Sequence, residues 1–298
     1  MKPCTLCPRR CGVSRGEHLG GELPGVCRSP LAPVVARAGL HHWEEPVISG
    51  TRGSGAVFFS GCNLRCVFCQ NYGISVGGAG REITVERLKE IYRELVAQGA
   101  HNLNLVTPTH CAEAIYASLD EPPPVPVVWN SNGYDSVETL RRFEGKVGVY
   151  LPDLKYADPV LAERYSKAAD YFEVAAAAIR EMFRQTGPFE LDDAGLLRRG
   201  VLIRHLILPG CVENSLRVIR WVAENFRRGD VMFSLMRQYL PCGAVSAERF
   251  PELNRRVDDA EYEAVEEALF ASGIEDGFVQ DSDSACEEFI PAFDFTGV

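Results

Sequence analysis

Short apolar runs and helical patterns alternate through most of the chain. The runs are Ala56–Ser60, Asn102–Thr107, Val125–Asn130, Val147–Leu154, Val201–Leu208 and Val231–Met236, each rich in Val, Ile, Leu or Phe on both faces. Strands apolar on both faces are what a buried parallel sheet requires. Between them lie segments of helical character: Thr84–Gln98, Cys111–Leu119, Ser136–Phe143, Pro159–Ala168, Tyr171–Arg184 and Glu213–Phe226, with a last helix over Asp259–Ala271. Thr84, Asp135 and Asp158 read as helix starts, and Gly99 and Gly229 as helix stops. Repeated strand–helix alternation predicts right-handed βαβ units and an α/β fold. The expected architecture is a partial (β/α)6 TIM-like barrel.

The first 30 residues do not follow this pattern. They are rich in Gly, Pro, Arg and Cys and show no apolar periodicity. The expected division is a cysteine-rich metal-binding extension and linker over 1–50, the barrel over 51–240, and a C-terminal helix with a docking tail over 241–298. His41 and His42 fall in the linker and read as packing residues. The tail 275–291 mixes carboxylates with aromatic residues. A disordered acidic tail has few aromatics, so this one is expected to dock on the barrel or its open edge.

Composition narrows the class. At 298 residues the chain can bury roughly 75% of its unfolded surface without disulfide staples. The net charge of −10 argues against a general nucleic-acid binder, which needs a basic stripe. The runs Arg9-Arg10, Arg198-Arg199 and Arg227-Arg228 read as solvated faces or helix ends. No stretch reaches the roughly 18 apolar residues of a membrane span, and the N-terminus lacks a signal-peptide core. A cytoplasmic protein is expected, in which eleven cysteines point to metal ligation rather than disulfides.

Two cysteine clusters carry the chemistry. Cys62-x3-Cys66-x2-Cys69 follows the first predicted strand, on the face where barrel enzymes place their sites. Three thiolates are one short of the usual four around an iron–sulfur cube, which leaves one iron open to a small molecule. A zinc knuckle is disfavoured because no fourth ligand follows closely. The second cluster is Cys4-x2-Cys7-x3-Cys11-x15-Cys27. Metal would be what folds that segment, and zinc or a second iron–sulfur cluster both suit it. Cys111, Cys211, Cys242 and Cys286 read as ordinary thiols.

The triad, with Phe68 before its last cysteine, resembles the radical S-adenosylmethionine superfamily. Gln70-Asn71, Asn104-Leu-Val-Thr-Pro-Thr-His110, Asn130-Ser-Asn-Gly133, Tyr150-Leu-Pro-Asp-Leu-Lys-Tyr156, Arg204-His-Leu-Ile-Leu-Pro-Gly210 and Gln238-Tyr239 resemble the branch related to pyruvate formate-lyase activating enzymes, in a form with a cysteine-rich N-terminus. The resemblance implies a [4Fe-4S] cluster on Cys62, Cys66 and Cys69, with S-adenosylmethionine chelating the open iron. It further implies reductive cleavage to a 5′-deoxyadenosyl radical that abstracts a hydrogen atom.

Carried over by position, Phe68 should meet the adenine, and Asn71, Asn130 and Asn132 should border the cofactor. Thr107, Pro108 and Thr109 stand where relatives have a Gly-Gly-Glu stretch facing the methionine amino group. Asn130 replaces an Asp of the activating enzymes, so a cation site built on that carboxylate is not expected. Asp153 and Lys155 form either a structural ion pair or a contact to the cofactor carboxylate. Arg204 and His205 project to opposite sides of one strand, and the resemblance favours His205 inward. The partners implied are an electron donor such as flavodoxin or ferredoxin, and a protein whose glycine receives the radical. Direct modification of a peptide or small molecule is the alternative. A non-catalytic iron–sulfur scaffold is the reading from another class, and nucleic acid is an unlikely substrate.

Overall fold

The computed structural model describes residues 3–16, 25–280 and 291–298. Its strands are β1 Val34–His41, β2 Ser54–Phe59, β3 Arg81–Glu82, β4 Leu103–Val106, β5 Val127–Ser131, β6 Val149–Pro152, β7 Glu190–Leu191, β8 Leu197–Leu206, β9 Met232–Met236 and β10 Gly277–Val279. The sheet order is β10-β9-β8-β6-β5-β4-β2-β1-β3, with β7 paired to β8. Strands β2, β4, β5, β6, β8, β9 and β10 run parallel, and β1 is antiparallel to β2. This is an alternating β/α sheet curled into a partial barrel. Among the described residues no pairing joins its two edges.

All six expected strands are present. The helices fall where the helical patterns lie: Val85–Ala97, Ala112–Ser118, Val137–Arg142, Pro159–Ser166, Tyr171–Thr186, Val212–Asn225 and Asp259–Ala271. Thr84 caps its helix by accepting from Arg87 N at 3.1 Å, and Asp158 does so from Val160 N at 2.8 Å. Asp135 behaves differently. Its carboxylate turns inward and accepts from Thr109 Oγ1 at 2.6 Å, Ser131 Oγ at 2.5 Å and Trp129 Nε1 at 3.3 Å. The helix still begins there, but its N-cap is Ser136, which makes no side-chain cap bond.

Two elements differ from the sequence reading in ways that matter for the site. The stretch 34–41, read as linker, is strand β1, paired to β2 from Val35 to His41. Beyond it, the helix Pro46–Ser49 plugs the N-terminal end of the barrel, where Val47 and Ile48 pack with Val128, Val149, Leu202 and Met232. Glu44 and Glu45, immediately before Pro46, are thereby carried into the concave interior. At the other edge the described end of the chain docks on β1. Phe295 N donates to Ala36 O at 3.1 Å, Ala38 N donates to Thr296 O at 2.9 Å, and Phe293 packs edge-on against Phe58. An edge strand left bare invites pairing with another chain, and this segment covers it. Cys286 and most of the acidic stretch lie outside the described residues. None of the described helices is long and apolar enough to cross a membrane.

Candidate functional site

The loop after β2 carries the triad to the C-terminal mouth of the barrel. Cys62, Cys66 and Cys69 all line a cavity of about 230 Å³ enclosed by the curled sheet. Each sulfur accepts hydrogen bonds. Cys62 Sγ receives Leu64 N at 3.3 Å, Arg65 N at 3.5 Å and Asn132 Nδ2 at 3.3 Å. Ser166 Oγ donates to Cys66 Sγ at 3.1 Å, and Ser75 Oγ to Cys69 Sγ at 3.3 Å. Such donors are typical of sulfurs that carry negative charge on a metal. Burial pushes the Cys69 thiol up to about 12, with Cys66 adding to the shift. A metal centre is therefore what would let these buried sulfurs exist as thiolates. Among the described residues no group of three or more His, Cys, Asp or Glu side chains is set to hold one metal ion. The three thiols nevertheless share one cavity, and each accepts a hydrogen bond of the kind a metal-bound thiolate keeps.

Phe68 also faces the cavity and packs edge-on against Tyr156, Tyr165 and Tyr239, with centroids 6.1–6.4 Å away. Asn71, Thr107, Asn130, Asn132, Asp153 and Lys155 line the cavity as well. Thr107 does so at φ +60°, a left-handed conformation that costs a β-branched residue about 1–3 kcal/mol. Pro108 and Thr109 do not reach the cavity. Pro108 precedes the short helical turn Thr109–Cys111, and the Thr109 hydroxyl is spent on Asp135.

The expectation for β8 is overturned. Arg204 faces the cavity, and His205 points away into the core. There its Nδ1 lies 2.6 Å from Leu154 O and its Nε2 2.8 Å from Ser215 Oγ. Burial lowers its pKa to about 4, so it stays neutral. Register decides the matter, because Arg204 bridges to Asp153 across the neighbouring strand.

Arg204 is the hub of an ionic floor that the sequence reading did not assemble. Its Nε donates to Asp153 Oδ1 at 3.0 Å, its Nη1 to Glu44 Oε2 at 3.0 Å and its Nη2 to Asn130 Oδ1 at 2.8 Å. Glu44 Oε1 also accepts from Asn130 Nδ2 at 2.9 Å and Asn104 Nδ2 at 3.2 Å. Lys155 Nζ donates to Asp153 Oδ2 at 2.6 Å. Burial alone would raise the Asp153 carboxyl, but Arg204 and Lys155 outweigh it and hold it below its ordinary value. Glu45, buried and bonded to Ser234 Oγ at 2.7 Å, is raised by desolvation. The only signal for Glu44 was an acidic pair before a proline, which periodicity cannot place.

The N-terminal segment packs behind the triad loop. Arg9, read as a solvated residue, donates from Nε to Asn63 O at 2.9 Å and from Nη2 to Ser166 O at 2.7 Å, and lies over the Tyr134 ring. Cys4, Cys7 and Cys27 are buried and Cys11 is half-buried. Burial raises Cys7 to about 11, and Cys27, Cys4 and Cys11 all lie close enough to push it further the same way. Cys111, Cys211 and Cys242 do not line the cavity. Cys242 packs against the triad loop, with its Sγ 3.2 Å from Phe68 O.

The family model for the Radical SAM superfamily matches residues 56–188, the stretch from β2 through the helix Tyr171–Thr186. A relative in Methanocaldococcus jannaschii, an uncharacterized protein, is 30% identical over 282 residues, covering 90% of this chain and 74% of that one. The chain belongs to the radical SAM superfamily. Among solved structures, a spore photoproduct lyase with bound AdoMet aligns at TM-score 0.49 and 14% identity over 74% of each chain. A methylornithine synthase aligns at TM-score 0.48 and 15% identity, covering 73% of this chain and 68% of that one. As a radical SAM protein the chain is a member of an enzyme superfamily that uses an iron–sulfur cluster and S-adenosylmethionine.

Proposed function

We propose that this radical SAM protein cleaves S-adenosylmethionine reductively at a [4Fe-4S] cluster held by Cys62, Cys66 and Cys69, and uses the radical to abstract a hydrogen atom. The observation that carries this reading is the convergence of three hydrogen-bonded thiols and an ionic floor on one cavity. When bound, the cluster and S-adenosylmethionine together supply a 5′-deoxyadenosyl radical. The chain's own residues do the rest. Asn132, Ser166 and Ser75 draw negative charge from the thiolate sulfurs, which favours the reduced state. Phe58, Phe59, Ile74, Val106 and Met236 form apolar wall around the cavity and keep water from the reacting atoms. Lys155 has further N–H donors beside its bond to Asp153 and is placed to hold a carboxylate.

The hydrogen donor in this reading is a glycine of a partner protein, in keeping with the activating-enzyme resemblance. The floor of Glu44, Asn130 and Arg204 offers paired acceptors and donors that suit an amide as well as a charged group. Direct modification of a peptide or small molecule is therefore the second reading. A cytoplasmic setting with flavodoxin or ferredoxin as electron donor completes it, and zinc or a second cluster occupies the N-terminal thiols.

The test is anaerobic reconstitution followed by reduction and assay for 5′-deoxyadenosine. Wild type is expected to release it and Cys66→Ala to release none. A filled cluster with no cleavage under a strong reductant would favour the non-catalytic scaffold. A glycyl-radical signal by electron paramagnetic resonance with a candidate partner separates the first reading from the second.

A further inference from the structure

Residues 291–298 do more than cover an edge. Pro291, Phe293 and Phe295 are half-buried, while Ala292, Asp294 and Thr296 are exposed. A period of two marks an extended chain with one face against protein. Pro291 lines the triad's cavity. Two residues on, Phe293 packs against the apolar group of Ala36, Ala56, Phe58, Ile74 and Val106. Phe58, Ile74 and Val106 line that same cavity. The end of the chain thus lays an apolar side chain on the back of the cavity wall and a proline in the cavity itself.

Main-chain bonds and surface charge hold it there. Phe295 N and Thr296 O pair with Ala36 O and Ala38 N along the edge of β1. Arg37 Nη1 donates to Ala292 O and to Asp294 Oδ1, both at 3.0 Å. Arg87 Nη2 donates to Gly297 O at 3.3 Å, and Arg81 lies 5.1 Å from the centre of the Phe295 ring. None of residues 291–298 is fully buried, and Asp294 is 56% exposed in its pair with Arg37. Exposed pairs of this kind hold weakly. Backbone pairing at a sheet edge selects extended chain, and the pockets for alternate side chains select sequence. The segment therefore displays the ligand class that this edge takes: an extended polypeptide with a bulky apolar side chain at the Phe293 position. One further position is fixed by shape. Gly297 has φ +74°, and a β-carbon there would stand 2.2 Å from Ala38 O.

We propose that residues 291–298 are an intramolecular stand-in for a segment of a protein substrate, which takes their place along β1 to bring its reacting residue to the cavity. This rests on reading the cavity as the site of hydrogen-atom abstraction. The tethered segment competes at a high effective concentration, so it covers that side of the cavity until a partner pairs with β1 instead. A partner without an apolar side chain at the Phe293 position fails to displace it. A small-molecule substrate would leave the segment where it is.

The test uses the full-length chain and a fluorescently labelled synthetic peptide with the sequence of residues 291–298. Phe293→Asp in the full-length chain sets a charge against the apolar wall and frees the edge. That variant is expected to bind the peptide about tenfold more tightly than wild type, read by fluorescence anisotropy. A second peptide carrying Gly297→Ala should bind the variant about tenfold more weakly than the first, because its β-carbon meets Ala38 O. Equal affinity of wild type and variant, or binding to neither, overturns the proposal. Equal affinity of the variant for the two peptides overturns the placement on β1. If Phe293→Asp does not fold, Asp294→Ala removes the exposed partner of Arg37 and leaves β1 intact. It is then expected to bind the peptide about threefold more tightly than wild type, and no gain overturns the proposal. Peptide binding needs no turnover. A chain that exchanges its segment for the peptide but releases no 5′-deoxyadenosine under a strong reductant sinks the proposed function and leaves the exchange standing.

Discussion

Arg15 is buried and Arg204 largely so, each near one set of thiols, and the groups bonded to them differ in kind. Arg204 meets two carboxylates, Glu44 and Asp153, at 3.0 Å each, and borders an open cavity. Arg15 meets a sulfur and a carbonyl and does not line that cavity. The first region carries its own charge balance and leaves space in front of the thiols. The second sets its guanidinium against a thiol sulfur and a backbone carbonyl, with no carboxylate bonded to it. Open and closed arrangements of this kind separate catalytic from non-catalytic metal sites. On the proposed function, the open set would face a reactant and the N-terminal set would face protein.

The largest effect that tests this contrast is on stability. Replacing Arg204 with Met leaves Asp153 with Lys155 alone and Glu44 with only the Asn104 and Asn130 amides, and is expected to cost about 3 kcal/mol, with or without metal. Arg15→Met is expected to cost far less in metal-free protein, because it removes a buried cation that lacks anionic partners. In metal-loaded protein its cost should rise. Anaerobic denaturant titrations of both variants, with and without metal, read the difference. Equal metal dependence for the two would break the contrast.

The sheet was legible because its strands are apolar on both faces, a pattern that survives whatever the partner strand is. That same property hid the face of Arg204. In Val201-Leu-Ile-Arg-His-Leu206 both faces are apolar, so nothing local says which of the two polar residues turns inward. The pairing of Asp153 with Arg204 decides it, and pairing is non-local. The triad was legible because its three cysteines lie within eight residues. The floor was not, because Glu44, Asn130, Asp153 and Arg204 come from four separate places and meet only when the sheet curls. Strand β1, with Ala, Gly and Arg among its eight residues, lacks the apolar run that marked the others. It is held as a strand chiefly by β2.

A second test concerns acid. His205 lies behind the floor, and burial holds its pKa near 4, against about 6.5 for an exposed histidine. The unfolded chain binds a proton that the folded chain refuses, so stability rises with pH through this window. The contribution is complete above about pH 6.5 and falls away toward pH 4, a loss of about 3 kcal/mol. Asp153 adds to the loss at lower pH, since its carboxyl is held below its ordinary value. His205→Asn should flatten the profile between pH 6.5 and 4, measured by denaturant midpoints. A profile unchanged by that substitution would mean that His205 is not held neutral by the core.

The smallest expected effect concerns the sulfurs themselves. The triad's sulfurs take hydrogen bonds from neutral hydroxyl and amide groups, whereas Cys27 takes one from a charged guanidinium. Ser166 is the cleanest probe, since its hydroxyl spans Cys66 Sγ at 3.1 Å and Tyr156 OH at 2.8 Å. A hydrogen bond to a thiolate stabilises the reduced, more negative cluster, so Ser166→Ala should make reduction harder. One such bond is worth about 1 kcal/mol, or roughly 40 mV for one electron. Potentiometric titration followed by electron paramagnetic resonance should show that drop in the signal that the triad cysteines are required for, and none in any signal that survives their loss. If a signal independent of the triad cysteines moves as well, the hydroxyl does not act on the triad alone, and the contrast between open and closed regions loses its basis. If only the triad's centre moves, the hydroxyl acts on the one set that faces the cavity.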